Sequence, residues 1–199
     1  MSIYSKILEV QDLKKVYGRD ENKTIALKGI TFDVLSGEFL GIMGASGSGK
    51  TTLLNCITTI IKPTSGKILL NGENLSSFRG KKLADYRGNR IGYLFQDFEL
   101  LDNLTGRENI LLPLSIHGMN VEESVDKLFA IAKYLEIEEV LNKFPAQMSG
   151  GQKQRIAAAR ALISNPDMIL ADEPTGALDT KSAKILMDKL KGLNQDEKT

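Results

Sequence analysis

Apolar positions along the chain recur in two rhythms, one strand-like and one helical. The first third runs in short strand-like stretches. KILEVQDLKKVY (6–17) alternates loosely between apolar and polar positions, as a half-buried strand does. ITFDVLSGEFLGIMG (30–44) reads as two strand-like runs around a Ser-Gly turn, and SGKILLNGENL (65–75) as a strand followed by an Asn-Gly turn. Between them, KTTLLNCITTII (50–61) suits a helix that stops at Pro63, and RIGYLFQD (90–97) is a further strand. From about 98 to 148 the rhythm turns helical. TGRE (105–108) has the Thr-x-x-Glu spacing of a capping box ahead of an apolar run. VEESVDKLFAIAKYLEI (121–137) is apolar at 121, 125, 128, 129, 131, 132 and 135, a helical period. SGGQKQRIAAARALI (149–163) reads as a capped, alanine-rich helix, DMILADE (167–173) as a short buried strand ending in two acids, and SAKILMDKLKGLN (182–194) as an amphipathic helix. Strands that alternate with helices predict a mainly parallel sheet with helices on its faces.

Composition narrows this little. The 199 residues, 42% apolar and 26% charged, suffice for one globular domain with a core. Twenty-six basic residues against twenty-five acidic ones leave +1, without the basic excess of a nucleic-acid binder. Cys56 is the only cysteine, so no intrachain disulfide can form, which fits a reducing compartment. The start, MSIYSKILEV, lacks the layout of a signal peptide, and the apolar run ILLPLSI (110–116) is far short of a membrane span. The expectation is a cytoplasmic polypeptide that does not itself cross a bilayer.

Two stretches carry chemistry. GASGSGKT (44–51) meets the spacing G-x-x-x-x-G-K-[ST] through Gly44, Gly49, Lys50 and Thr51, after an apolar strand and at the opening of a helix. Phosphate oxygens are held by a curved row of backbone N–H groups, which Gly44, Ala45, Ser46, Gly47, Ser48 and Gly49 supply, with Thr52 following in the helix. The helix N-terminus adds partial positive charge. Lys50 offers a point charge to the β- and γ-phosphates, and the Thr51 hydroxyl can ligate Mg²⁺. The second stretch, MILADE, places Asp172 and Glu173 where an apolar strand emerges, the end of a parallel strand where ligands gather. Asp172 suits Mg²⁺, directly or through water, and Glu173 suits an acceptor for an attacking water.

MSGGQKQR (148–155) adds a third element. Ser149 and Gln152 fit a capping box, which turns N–H groups and a positive helix end outward toward an anion. Together with the glycine loop and the acidic strand end, this stretch closely resembles the signature of the ATP-binding-cassette (ABC) transporter ATPases, and the resemblance covers essentially the whole chain. It resembles most the group that serves bacitracin-type, antimicrobial-peptide and lipoprotein-release exporters, through ALKGITFDVLSGEFLGIMGASGSGKTTLLNCI, PTSGKILLNGENLS, YLFQDFELLDNLT and ILADEPTGALD. Ala45 replaces a commoner proline and Met148 a commoner leucine; neither change removes a phosphate ligand.

The resemblance implies an α/β P-loop core with a mainly parallel sheet, an N-terminal antiparallel β-subdomain and an inserted helical subdomain. This is one ATP-binding domain, with 1–97 and 164–199 as core and β-subdomain and 98–163 as helical subdomain. It implies that Tyr17 stacks on adenine, that Gln96 touches Mg²⁺ and takes part in catalysis with Glu173 and Lys50, and that Asp179, in GALD, lies at a dimer seam. Ser149, Gly150, Gly151 and Gln152 would meet the γ-phosphate held by a second copy. The implied assembly is an ATP-bound homodimer on a membrane permease, peripheral to the inner face of the cell membrane, with no nucleic acid. The family pattern continues into a strand that ends in a histidine. The last histidine here is His117 and the chain ends at NQDEKT, so the resemblance leads us to expect that segment to be missing and turnover by these 199 residues to be weak.

His117 reads as structural or surface, Cys56 as a small core residue, and the basic stretch FRGKKLADYRGNR (78–90) as a solvated face. An exporter ATPase and a nucleotide-gated module that assembles a membrane complex with little turnover both fit these residues. A cassette of DNA repair or translation fits less well, because long insertions and a second cassette are absent.

Overall fold

The computed structural model describes residues 5–119 and 124–197, which divide into two compact units, one of residues up to Ala84 with Glu197 and one of Asp85–Asp196.

The first unit is an antiparallel sheet with one helix. β1 (Lys6–Tyr17) lies between β2 (Thr24–Leu35) and β3 (Ser65–Leu70), and β4 (Glu73–Asn74) pairs with β3. Leu8, Val10 and Leu13 of β1 are all buried, although the last breaks a strict two-residue alternation. A register shift between Val10 and Leu13, with Asp12 at φ 43°, inserts the extra residue that turns Leu13 back to the core. This bulge is why the alternation in the sequence is only loose. The hairpin between β3 and β4 turns on Asn71 (φ 48°) and Gly72 (φ 78°), two consecutive left-handed residues of the kind Asn-Gly supplies. α1 (Lys50–Ile57) buries Leu53, Leu54, Cys56 and Ile57. It ends four residues earlier than the pattern predicts. Thr58 caps it and Thr59 sits at φ 62°, a conformation that no helix continues. α2 (Gly80–Asp85) closes the unit.

Residues 39–44 depart from expectation. They are not in a strand, and Phe39, Leu40, Ile42 and Met43 are exposed, the last at 96%. Apolar character favours a strand, but a ladder needs a partner, and among the described residues none pairs with this run.

The second unit holds a parallel pair, β5 (Ile91–Leu94) and β6 (Met168–Ala171), in the register Ile91↔Met168 to Leu94↔Ala171. Helices α3 (Gly106–Ile116), α4 (Val125–Leu135), α5 (Gly150–Leu162) and α6 (Thr180–Glu197) complete it. Positions 121–123 of the expected α4 lie outside the described residues. The small face of α5, Ala157, Ala158 and Ala159, is buried in one core with Ile110, Leu128 and Leu186. The basic stretch is not wholly solvated. It contains a π-helical turn, Tyr86–Arg90, whose Tyr86 is fully buried, and desolvation holds that phenol far above its ordinary range. His117, the C-cap of α3, is half-buried and lies directly over Gly88, a structural placement.

Candidate functional site

The glycine loop lies in the first unit. Gly49 is the N-cap of α1 at φ 98°, and a side chain there would come within 2.5 Å of the Ala26 carbonyl oxygen, so glycine is required twice over. The Ser48 N–H donates to the Ala45 carbonyl at 3.1 Å and curls the loop. Lys50 folds back over it, and its Nζ donates to the carbonyls of Gly44 (3.0 Å) and Ala45 (3.1 Å). A cation thus stands at the mouth of an exposed loop that ends in a helix N-terminus, with Thr51 exposed in the first turn. This arrangement can receive a polyphosphate. Tyr17, the last residue of β1, is 39% exposed, and the Lys15 ammonium lies 5.0 Å from its ring centroid. Its ring is accessible for stacking.

The acidic edge lies in the second unit. The Asp172 N–H donates to the Leu94 carbonyl at 3.0 Å, extending the β5–β6 ladder by one bond. Gln96 and Glu173 therefore leave the same edge of the parallel pair, both exposed, whereas Asp172 is buried at 9% exposure. Glu173 takes φ 45° and starts a turn closed by the Gly176 N–H on its carbonyl at 2.9 Å. A Cβ on Gly176 would lie 3.4 Å from Gln96 Nε2, so the Gln96 amide rests against this turn. Tyr93, on β5, has its phenol pushed up to about 12, by burial first and by the Asp172 charge second. In the first unit Thr51, and in the second Gln96 and Asp172, each carry a hard oxygen atom of the kind Mg²⁺ takes beside phosphate and water. Among the described residues, no three His, Cys, Asp or Glu side chains gather to hold a metal by themselves.

The capping box at the start of α5 is present. Ser149 Oγ accepts from the Gln152 N–H at 3.3 Å, and Gln152 Oε1 accepts from the Ser149 N–H at 2.9 Å. Gly151 passes so close to Ser182 that a Cβ would lie 2.9 Å from its hydroxyl. That hydroxyl donates to Asp179 at 2.6 Å, and the N–H groups of Lys181 and Ser182 donate to the same carboxylate at 3.0 Å. These bonds, the Ser182 hydroxyl foremost, hold the Asp179 carboxyl below its usual range. The starts of α5 and α6 thus pack closely, with Asp179 capping α6 beside Gly151.

The family model described as "ABC transporter" matches residues 27–176. The chain belongs to the ABC transporter family. This ABC ATPase is 50% identical over 189 residues to the bacitracin export ATP-binding protein BceA of Halalkalibacterium halodurans, covering 95% of this chain and 75% of that protein. It is also 50% identical over 193 residues to the ABC transporter ATP-binding protein YxdL of Bacillus subtilis, covering 97% and 75%. A solved dimer of the ATP-binding cassette MJ0796 in a post-hydrolysis state, bound to ADP and Pi, superposes with a TM-score of 0.86 at 40% identity, covering 96% of this chain and 84% of that one. CbiO1 of Clostridium perfringens, part of the transporter complex CbiONQ, superposes at 0.84 with 29% identity, covering 97% and 75%. The α/β ABC fold, ATP binding and ATP hydrolysis in the service of transport follow from this membership.

Three residues that shape this ABC ATPase escape sequence reasoning. Gln154 is buried in α5 and donates to the Phe95 and Pro174 carbonyls. Arg160 donates to the carbonyls of Phe98 and Glu99. Asn109, fully buried in α3, exchanges hydrogen bonds with the backbone of Leu101 and donates to Leu104 and Thr105. The available signal was a polar side chain at an apolar position of each helical pattern.

Proposed function

We propose that the chain is the ATP-hydrolysing subunit of an exporter for antimicrobial peptides, with the glycine loop as its phosphate-binding element and the acidic edge as its hydrolytic element. The observation that carries the reading is the parallel β5–β6 register, which delivers Gln96, Asp172 and Glu173 to one edge. The loop and Lys50 bind the triphosphate, and Tyr17 stacks on the base. Thr51, and on the other unit Gln96 and Asp172, would offer oxygen ligands to Mg²⁺, which would neutralise charge on the phosphate oxygens. Glu173 accepts the proton of the attacking water. Ser149 to Gln152 present their helix end to the γ-phosphate of a second copy, and Asp179 lies at the seam between copies.

The antimicrobial-peptide assignment is supported by BceA, whose name records bacitracin export, and the partnership with a membrane permease by CbiO1. No described helix is long and apolar enough to cross a membrane. Leu101 is the docking candidate. It is 46% exposed beside the Gln96 loop, whereas Phe98 and Leu100 pack on the core. The subunit works at the inner face of the cell membrane.

The test is Glu173→Gln. The amide cannot accept the water's proton, so the variant binds Mg·ATP with unchanged affinity, accumulates as a dimer by light scattering, and loses phosphate release. Turnover at the unsubstituted rate refutes the assignment of the base. Dimerisation that needs ATP, with no turnover by the unsubstituted protein, would select the assembly module.

A further inference from the structure

One side chain of the signature helix bonds to the backbone beside both Gln96 and Glu173. Gln154 lies one and a half turns into α5 and is 1% exposed. Its Nε2 donates to the Pro174 carbonyl at 2.9 Å and, less tightly, to the Phe95 carbonyl at 3.4 Å. Phe95 immediately precedes Gln96, and Pro174 immediately follows Glu173. Both acceptors are backbone carbonyls, so the amide group must present its two N–H bonds to them and cannot be turned round. Its other end, Oε1, is then buried without a hydrogen-bond partner among the described residues, an expense that packing alone would avoid with a Leu or a Met.

Resting on the reading above, we infer that Gln154 is a positioning residue for hydrolysis: one amide, fixed to the signature helix, sets the Gln96 loop and the Glu173 turn relative to each other. The neighbouring geometry fits this role. The Gln96 amide already rests on Gly176 of the same turn, so a small slip between Phe95 and Pro174 would misplace both functional groups. Glu173 sits in a left-handed conformation that the turn must hold. Ser149, at the exposed start of α5, precedes Gln154 by five positions, about 7.5 Å along a stiff helix, so whatever meets that helix end is felt at the amide.

The test is Gln154→Met, with Gln154→Ala beside it and Glu173→Gln as the blank. Methionine keeps the shape, removes both donors and removes the orphaned oxygen. A positioning role predicts that kcat falls at least tenfold, that KM for ATP stays within twofold, and that Tm is not lowered. It also predicts faster amide exchange at Glu173–Gly176 and around Gln96, with the α5 core unchanged. Combining Gln154→Met with Gln96→Ala should cost no more than the larger single effect, because the two act as a unit. A kcat within twofold of the unsubstituted protein overturns the inference. So does a loss of kcat that tracks a fall in Tm, or failure of both Gln154 variants to fold, since Gln154 is then merely structural. The two readings fail separately. An active Glu173→Gln removes the catalytic base, whereas an inactive Glu173→Gln beside a fully active Gln154→Met removes only the role of Gln154.

Discussion

Arg160→Met tests how the loop after Gln96 is held. Arg160 projects from α5, and its guanidinium donates to the Phe98 carbonyl at 2.8 Å and to the Glu99 carbonyl. The loop it grips is strained: Phe98 is at φ 62°, Glu99 at φ 49°, and a Glu99 N–H to Asp97 carbonyl bond of 2.6 Å closes a three-residue turn between them. Hydrogen bonds from a charged donor contribute about 1.5–3 kcal/mol each. Two left-handed residues, once released, return about 1 kcal/mol each. The stem of methionine keeps most of the packing, so the net expected loss is about 2 kcal/mol. With a urea slope of about 2 kcal/mol per molar, the unfolding midpoint should fall by about 1 M. Arg160→Lys should fall between the two proteins, because an ammonium lacks the planar fork that reaches both carbonyls. A midpoint for Arg160→Met within about 0.2 M of the unsubstituted protein would refute the clamp and show that the turn holds itself.

Other substitutions probe separate parts. Lys50→Ala should abolish binding of a fluorescent ATP analogue at equilibrium, and unchanged affinity would remove the phosphate loop from the site. Tyr17→Ala should weaken the same binding by about 1–2 kcal/mol of lost stacking. Ser149→Ala should lower stability by about 1 kcal/mol in denaturant titration, since it removes the cap that Gln152 reciprocates. The Asp179 carboxyl is depressed, so its contribution to stability is full above the ordinary aspartate value of about 3.9 and is lost as pH falls through the lower folded value. Ser182→Ala removes the largest cause and should move the Asp179 titration upward when followed by carboxyl NMR. Leu101→Asp should spare ATP binding and end copurification with the membrane partner proposed above.

What could be read from sequence was local. Both capping boxes, Thr105 with Glu108 and Ser149 with Gln152, are set by a three-residue spacing and are present as expected. The Asn-Gly turn and the glycine loop are equally local. The ties from α5 to the Gln96 loop join residues 59 to 62 positions apart; a polar residue at an apolar helical position hints at Gln154 and Arg160, but nothing along the chain names their partners. The bulge at Asp12 was visible only as an irregular alternation, because its register is fixed by pairing with β2. Residues 39–44 were misjudged for the same reason: apolar residues make a strand possible, but pairing makes it one. α1 ended early because Thr59 turned left-handed, a choice invisible to a helical period that runs on to Ile61.

The β5–β6 pair has a consequence for biosynthesis. Arg90 and Asp167, ion-paired at 2.8 Å at the start of the two strands, are 77 positions apart. At about 5–20 residues per second, a ribosome delivers β6 roughly 4–15 s after β5. During that interval Ile91 and Leu94 have not yet met β6, their partner among the described strands, while α3, α4 and α5 emerge and can close on their own local contacts within microseconds. The edge that carries Gln96 therefore exists first as an open strand on a nascent chain, where pairing with another copy competes with the correct partner. Slow codons placed after Leu162 would lengthen that exposure, and fast ones would shorten it.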